Sequence, residues 1–142
     1  LTAFHFVIVP VAAEFKPDLV IVSAGFDAVK GDPLGGCAVS PAAYGQFTAM
    51  LAQLGPMVLL LEGGYNLTAT AQATEACVRV LLGEQPAPLD PDSYISDVSD
   101  SAAESIAAAL RAQSAYWTSA RHSCAAFTGA MAQRAALRAA QE

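Results

Sequence analysis

Two rhythms divide the apolar residues of this 142-residue chain. In "DLVIVSA", ending at Ala24, and in "MVLLLE", ending at Glu62, they run unbroken over a short span. Such runs predict parallel strands covered on both faces, the first of them at the centre of its sheet. Elsewhere the apolar positions space out to helical intervals. Tyr44, Phe47, Leu51 and Leu54 recur in "SPAAYGQFTAMLAQLG", where Ser40 can cap the first free amides and Pro41 suits the first helical position. Gly55 and Pro56 end that helix. Another is predicted from an Asn66 cap to about Leu82, stopped by Gly83. At the N-terminus "LTAFHFVIVPVAAEF" predicts a helix kinked at Pro10.

Strand, helix, strand, helix is the order of a right-handed crossover unit in a parallel α/β sheet. Ligands then bind where loops leave the carboxyl ends of the strands, here "GFD" and "GGYN". Residues 84–100, rich in proline and acid, read as an extended surface segment. "SAAE", Ser101 to Glu104, has the form of a capping box opening an alanine-rich helix through about Ala120. The last residues, "MAQRAALRAAQE", have helix propensity but a thin apolar face, and are either helical or frayed. The division this implies is 1–90 for the sheet-bearing part and 91–142 for a linker and helical extension.

Hydrophobic residues make up 54% of the chain and charged ones 14%, a core-rich globular composition. A net charge of −6, with seven scattered basic residues, argues against direct nucleic-acid binding. The apolar runs fall far short of the roughly 20 residues of a membrane helix. Cys37, Cys77 and Cys124 lie too far apart for a zinc knuckle and are odd in number, which points to a reducing compartment. "NLT" at Asn66 matches a glycosylation acceptor, with no secretory context to support it. Leu1 in place of an initiator methionine raises the expectation of a piece of a longer protein.

Two loops hold the candidate chemistry. Asp27, just past the first strand, is either a cap for free amides or a carboxylate ligand to a metal. In "EGGYN" the absence of side chains at Gly63 and Gly64 lets a ligand approach the backbone, and Tyr65 carries a hydroxyl that can donate a hydrogen bond. Tyr65 could equally pack over the sheet edge. A glycine loop before a helix also suits a phosphate, although no P-loop lysine follows. His5 and His122, the only imidazoles, read as helix residues rather than ligands.

Together the loops carry a resemblance. "FKPDLVIVSAGFDAVKGDPLGG" and "VLLLEGGYNL", each followed by a helix, are similar to the C-terminal half of the catalytic domain of class II histone deacetylases, nearest the class IIb branch. The resemblance covers about residues 1–90. It implies a parallel-sheet fold of the arginase and deacetylase kind, here its C-terminal portion, followed by an alanine-rich C-terminal helix. It also implies a zinc-dependent hydrolase of N-ε-acetyl-lysine in proteins of the histone or tubulin type, a chromatin regulator of nucleus or cytoplasm. Asp27 matches a zinc ligand, and Tyr65 the phenol that bonds the substrate oxygen as charge develops on it. Gly63 and Gly64 match the wall of the acyl-lysine channel, and Leu34 an apolar residue at its mouth. In that family zinc polarises the amide carbonyl and lowers the pKa of a bound water, while a histidine assists attack. Class IIa members carry histidine where this chain has Tyr65, and the polyamine branch carries glutamate where it has Leu34. The family's histidine pair and Asp-x-His ligands do not occur in these residues, so activity would need an N-terminal half from outside them. Two alternatives stand beside this reading: a truncated interaction module, and an unrelated α/β phosphate-binding domain.

Overall fold

The computed structural model describes residues 1–88 and 93–140. They form two compact units, Pro17–Leu89 and Leu1–Lys16 with Asp90–Glu142. The expected division at residues 90 and 91 lies outside the described residues, and Leu1–Lys16 groups with the C-terminal helices. No helix among the described residues is long and apolar enough to cross a membrane.

Pro17–Leu89 is a strand-helix-strand-helix unit, β1 (Val20–Ala24), α2 (Pro41–Ala52), β2 (Met57–Leu61) and α3 (Leu67–Leu81); α1 (Val9–Phe15) belongs to the other unit. β1 and β2 pair in parallel, with Val20 opposite Met57 and Ala24 opposite Leu61, so both strands end at the same edge. Ser40 Oγ accepts from the Ala43 N–H at 3.2 Å and Asn66 Oδ1 from the Ala69 N–H at 3.1 Å, capping α2 and α3 as their spacing predicts. Both helices lie against one face of the sheet. There Ala69, Ala73 and Cys77, one helical turn apart along α3, meet Val22, Ala24, Phe26, Val29, Leu59 and Tyr44. In α2 the buried positions are Gly45 and Thr48, offset from the predicted stripe. A Cβ built on Gly45 would lie 3.6 Å from the Ala76 Cβ, an ordinary van der Waals contact, so α2 and α3 approach closely at this point.

Among the described residues nothing covers the other face of the sheet, so the cover on both faces and the central place expected of β1 would need chain from outside them. Among the described residues the sheet has two strands, and Ile21, Val58 and Leu60 are exposed. A continuous apolar run records that both faces suit burial, but an element must be present to bury the second. Among the described residues each strand is then an edge with free backbone groups, the condition that favours association.

In the second unit a π-helical turn (Phe4–Ile8) leads into α1 (Val9–Phe15), and the Val9 N–H bonds back to the Phe4 carbonyl. Pro10 sits in the first turn of α1, so the expected kink takes the form of a wide turn before the proline, where its ring would crowd the Phe6 carbonyl. A short turn, α4 (Ser93–Ser96), interrupts the segment expected to be extended. α5 (Asp100–Gln113) is capped two residues earlier than expected, by Ser99 rather than Ser101, with Ser99 Oγ taking the Ala102 N–H at 3.2 Å. α6 (Thr118–Ala139) shows that the last segment is helical as far as Ala139 and that the predicted single helix breaks near Trp117. Ala103, Ile106, Leu110 and Phe127 form this unit's core, with Phe6 edge-on to Phe127 at 5.2 Å between ring centroids.

Candidate active site

Because β1 and β2 run parallel and end in register, the loops after Ala24 and Leu61 emerge side by side. Backbone bonds continue the pairing past the strands: the Glu62 N–H donates to the Ala24 carbonyl at 3.1 Å and the Phe26 N–H to the Gly63 carbonyl at 2.7 Å. Phe26 and Val29, 3% and 0% exposed, anchor the first loop in the core. Burying a phenylalanine and a valine contributes about 1.5–3 kcal/mol each, enough to hold a loop that has no other regular structure. Its far end is closed by a bridge in which Lys30 donates to the Val39 carbonyl at 2.9 Å and Val39 to the Ala28 carbonyl at 3.0 Å.

Asp27 projects between those anchors, half-buried, toward the second loop. A Cβ built on Gly63 would lie 3.3 Å from the Asp27 carboxylate and 3.4 Å from the Tyr65 hydroxyl. Both groups therefore border one small space, which a side chain at Gly63 would fill. Gly64 has φ +147°, and its own Cβ would fall 2.7 Å from Thr70 Oγ1, so this position requires glycine on two counts. At Gly35 a Cβ would fall on the carbonyl group of Asp27. The Asp27, Gly63, Gly64 and Tyr65 singled out from the sequence are thus brought together. Leu34 lies on the adjoining "GDPLGG" loop with its side chain 71% exposed, and Tyr65 is 56% exposed.

Two residues of the site drew no assignment from sequence. Asp32 accepts four backbone hydrogen bonds: Oδ1 from Leu34 and Gly35 at 2.8 and 3.1 Å, Oδ2 from Tyr65 and Asn66 at 2.7 and 3.3 Å. Burial is the largest single influence on this carboxyl and favours its neutral form. The four N–H donors together outweigh it, holding the group below the usual carboxylate range. The available signal was "GDPLGG", since aspartate before a proline-glycine turn accepts from its own backbone two residues on. The partners in the second loop leave no trace in sequence. Tyr44, read from its spacing as an apolar helix residue, packs on Phe26 at 5.1 Å between centroids and donates to the Gly25 carbonyl at 3.4 Å. Burial first, and the Asp27 charge second, push its phenol above the ordinary value.

Asp27 is a suitable donor for a divalent metal, but one carboxylate does not make a zinc site, which takes at least three protein ligands. Among the described residues no group of three histidine, cysteine, aspartate or glutamate side chains stands together. These residues alone therefore do not fit a complete zinc centre, and Asp27 can supply one ligand of it.

Among known proteins, this chain is similar to deacetylases. A family model described as the histone deacetylase domain matches residues 1–81. Histone deacetylase 7 of Homo sapiens is 47% identical over 121 residues, covering 82% of this chain and 13% of that protein. Polyamine deacetylase HDAC10 of Danio rerio is 45% identical over 124 residues, covering 86% of the chain and 18% of the relative. The crystal structure of the HDA15 HD domain superimposes with a TM-score of 0.77 at 40% identity, over 90% of this chain and 34% of that one. The chain thus spans a small part of each protein it matches. A relation of this extent is incompatible with an unrelated phosphate-binding domain.

Proposed function

The chain belongs to the histone deacetylase domain family, and from that premise we propose that it forms the C-terminal part of the active site of a zinc-dependent protein lysine deacetylase of the class IIb kind. The observation that carries the reading is the shared border of Asp27 and Tyr65 at Gly63. In this reading Asp27 gives one oxygen ligand to zinc, and the remaining ligands and the histidine base come from residues outside these 142. Tyr65 donates its phenol proton to the acetyl oxygen as negative charge gathers there. Removing one such donor typically lowers rate about 10²- to 10³-fold. Gly63 and Gly64 leave the wall of the acyl-lysine channel open, because a side chain at either would fill it or strike Thr70. Leu34, apolar and exposed at the rim, suits the aliphatic stem of a lysine on a protein such as a histone or tubulin rather than a free polyamine cation. A nuclear or cytoplasmic site follows from such substrates.

The test is a chimaera in which this chain replaces the matching third of the HDA15 HD domain, assayed on an acetyl-lysine peptide and for bound zinc. Turnover is expected from the chimaera and none from the 142-residue chain alone. Tyr65→Phe should retain zinc and lose rate by the factor above, whereas Asp27→Asn should lose zinc. A Tyr65→Phe chimaera as fast as its parent would end the oxyanion role, and an inactive, zinc-free parent chimaera would favour an interaction module.

A further inference from the structure

We propose that Asp32 is the positioning residue for Tyr65, a role that rests on the reading of Tyr65 just given and adds to it the group that aims the phenol. With its side chain 56% exposed, Tyr65 has little packing to fix its ring, so its place must come from its backbone. Upstream, Gly63 and Gly64 leave that backbone permissive, Gly64 standing at φ +147°. Downstream, Asn66 caps α3. Between the two glycines and a helix start, the Tyr65 N–H is held by Asp32 Oδ2 at 2.7 Å, from 33 residues away.

The residue type follows from the count of donors. An ionised carboxylate has two oxygens and only accepts, so one oxygen can serve the Asp32 loop and the other the Tyr65 loop. Asparagine would turn an NH₂ toward one pair of N–H donors and lose that side. The contiguous turn to Leu34 and Gly35 would keep the remaining oxygen, because closing it orders only neighbouring residues. Asn66 completes the tie, its Nδ2 donating to the Gly31 carbonyl at 2.9 Å while its Oδ1 caps the helix.

The test is NMR of the isotope-labelled 142-residue chain. In the wild type a scalar coupling across the hydrogen bond should link the Tyr65 amide nitrogen to the Asp32 carboxyl carbon, and its absence would overturn the proposal without any variant. In Asp32→Asn the Tyr65 and Asn66 amides should exchange about tenfold faster or more, as expected for loss of a charge-assisted bond. The nuclear Overhauser contact from the Tyr65 ring to Gly63 should weaken, while the Phe26–Tyr44 ring contact persists. Unchanged exchange at Tyr65 would overturn the proposal, and so would loss of the Phe26–Tyr44 contact, which would make Asp32 a support of the whole fold. Nothing turns over in these measurements. Their failure removes the Asp32 tie and leaves the deacetylase reading to the chimaera.

Discussion

The loops after β1 and β2 and the helices α5 and α6 face the same difficulty, backbone donors left free where an element begins, and meet it at different ranges. In Pro17–Leu89 the caps are immediate neighbours: Ser40 for α2, Asn66 for α3. At the start of α6 the residue before the helix is Trp117, which offers no acceptor side chain. Its first donors, the Thr118 and Ser119 N–H groups, instead bond to the Glu14 carboxylate at 3.2 and 2.7 Å, more than a hundred residues away in sequence. A neighbouring cap forms as soon as its helix does. A distant one forms only once its unit has assembled, so the start of α6 depends on tertiary structure in a way that the start of α2 does not.

The strongest test of the comparison is in the cores, where both regions should behave alike. Phe26 and Phe127 are 3% and 2% exposed, one in each unit, and both sit against another aromatic ring. Phe26→Ala and Phe127→Ala should each destabilise their own unit by about 3–5 kcal/mol, measured by denaturant titration with resolved NMR reporters in each unit. An effect within about 0.5 kcal/mol at either position, the range of an ordinary surface substitution, would mean that the core drawn around it is wrong.

Next in size are the local caps. Ser40→Ala at α2 and Ser99→Ala at α5 should each cost about 1 kcal/mol, read as faster amide exchange in the first turn of the affected helix. The same locality explains what was legible. Ser40, Asn66 and Gly83 mark the ends of α2 and α3 within a residue or two, and the "GFD" and "GGYN" loops could be placed at strand ends for that reason. Sequence alone favours Ser101 over Ser99, because two serines stand two residues apart and nothing local says that Asp100 will favour the earlier start. There its carboxylate meets Arg134 of α6 at 3.2 Å, a partner that only the fold supplies. The break at Trp117 was hidden by the distance to Glu14, and the Asp32 tie between the two loops by the distance to Tyr65. Coverage of the second sheet face could not be read at all, since an apolar run says what a strand tolerates and not what lies on it.

The smallest effect separates the two regions from within by pH. Glu14 is held below the ordinary glutamate value, first by the nearby Ser119 hydroxyl, which makes no formed hydrogen bond, and then by the Ser119 N–H. A folded pKa below the unfolded one means that the unfolded chain binds the proton more readily. The contribution to stability is therefore complete above the unfolded value and is lost as pH falls through the folded one. Acidification from neutrality to about pH 5 should leave the Thr118 and Ser119 amides protected, and their protection should fall only at and below the ordinary carboxylate range, about 4.3 for glutamate. Glu14→Gln should start less protected and show no such step, while the first turns of α2 and α5, capped by hydroxyls that do not titrate, stay flat in both proteins. Tyr65 and Asn66 should follow the acid course of α6 despite their place in the other unit, because their acceptor is also a carboxylate held low. If their protection instead tracked the serine-capped helices, the carboxylate tie would belong to α6 alone and the loops would owe their order to the Phe26 and Val29 anchors.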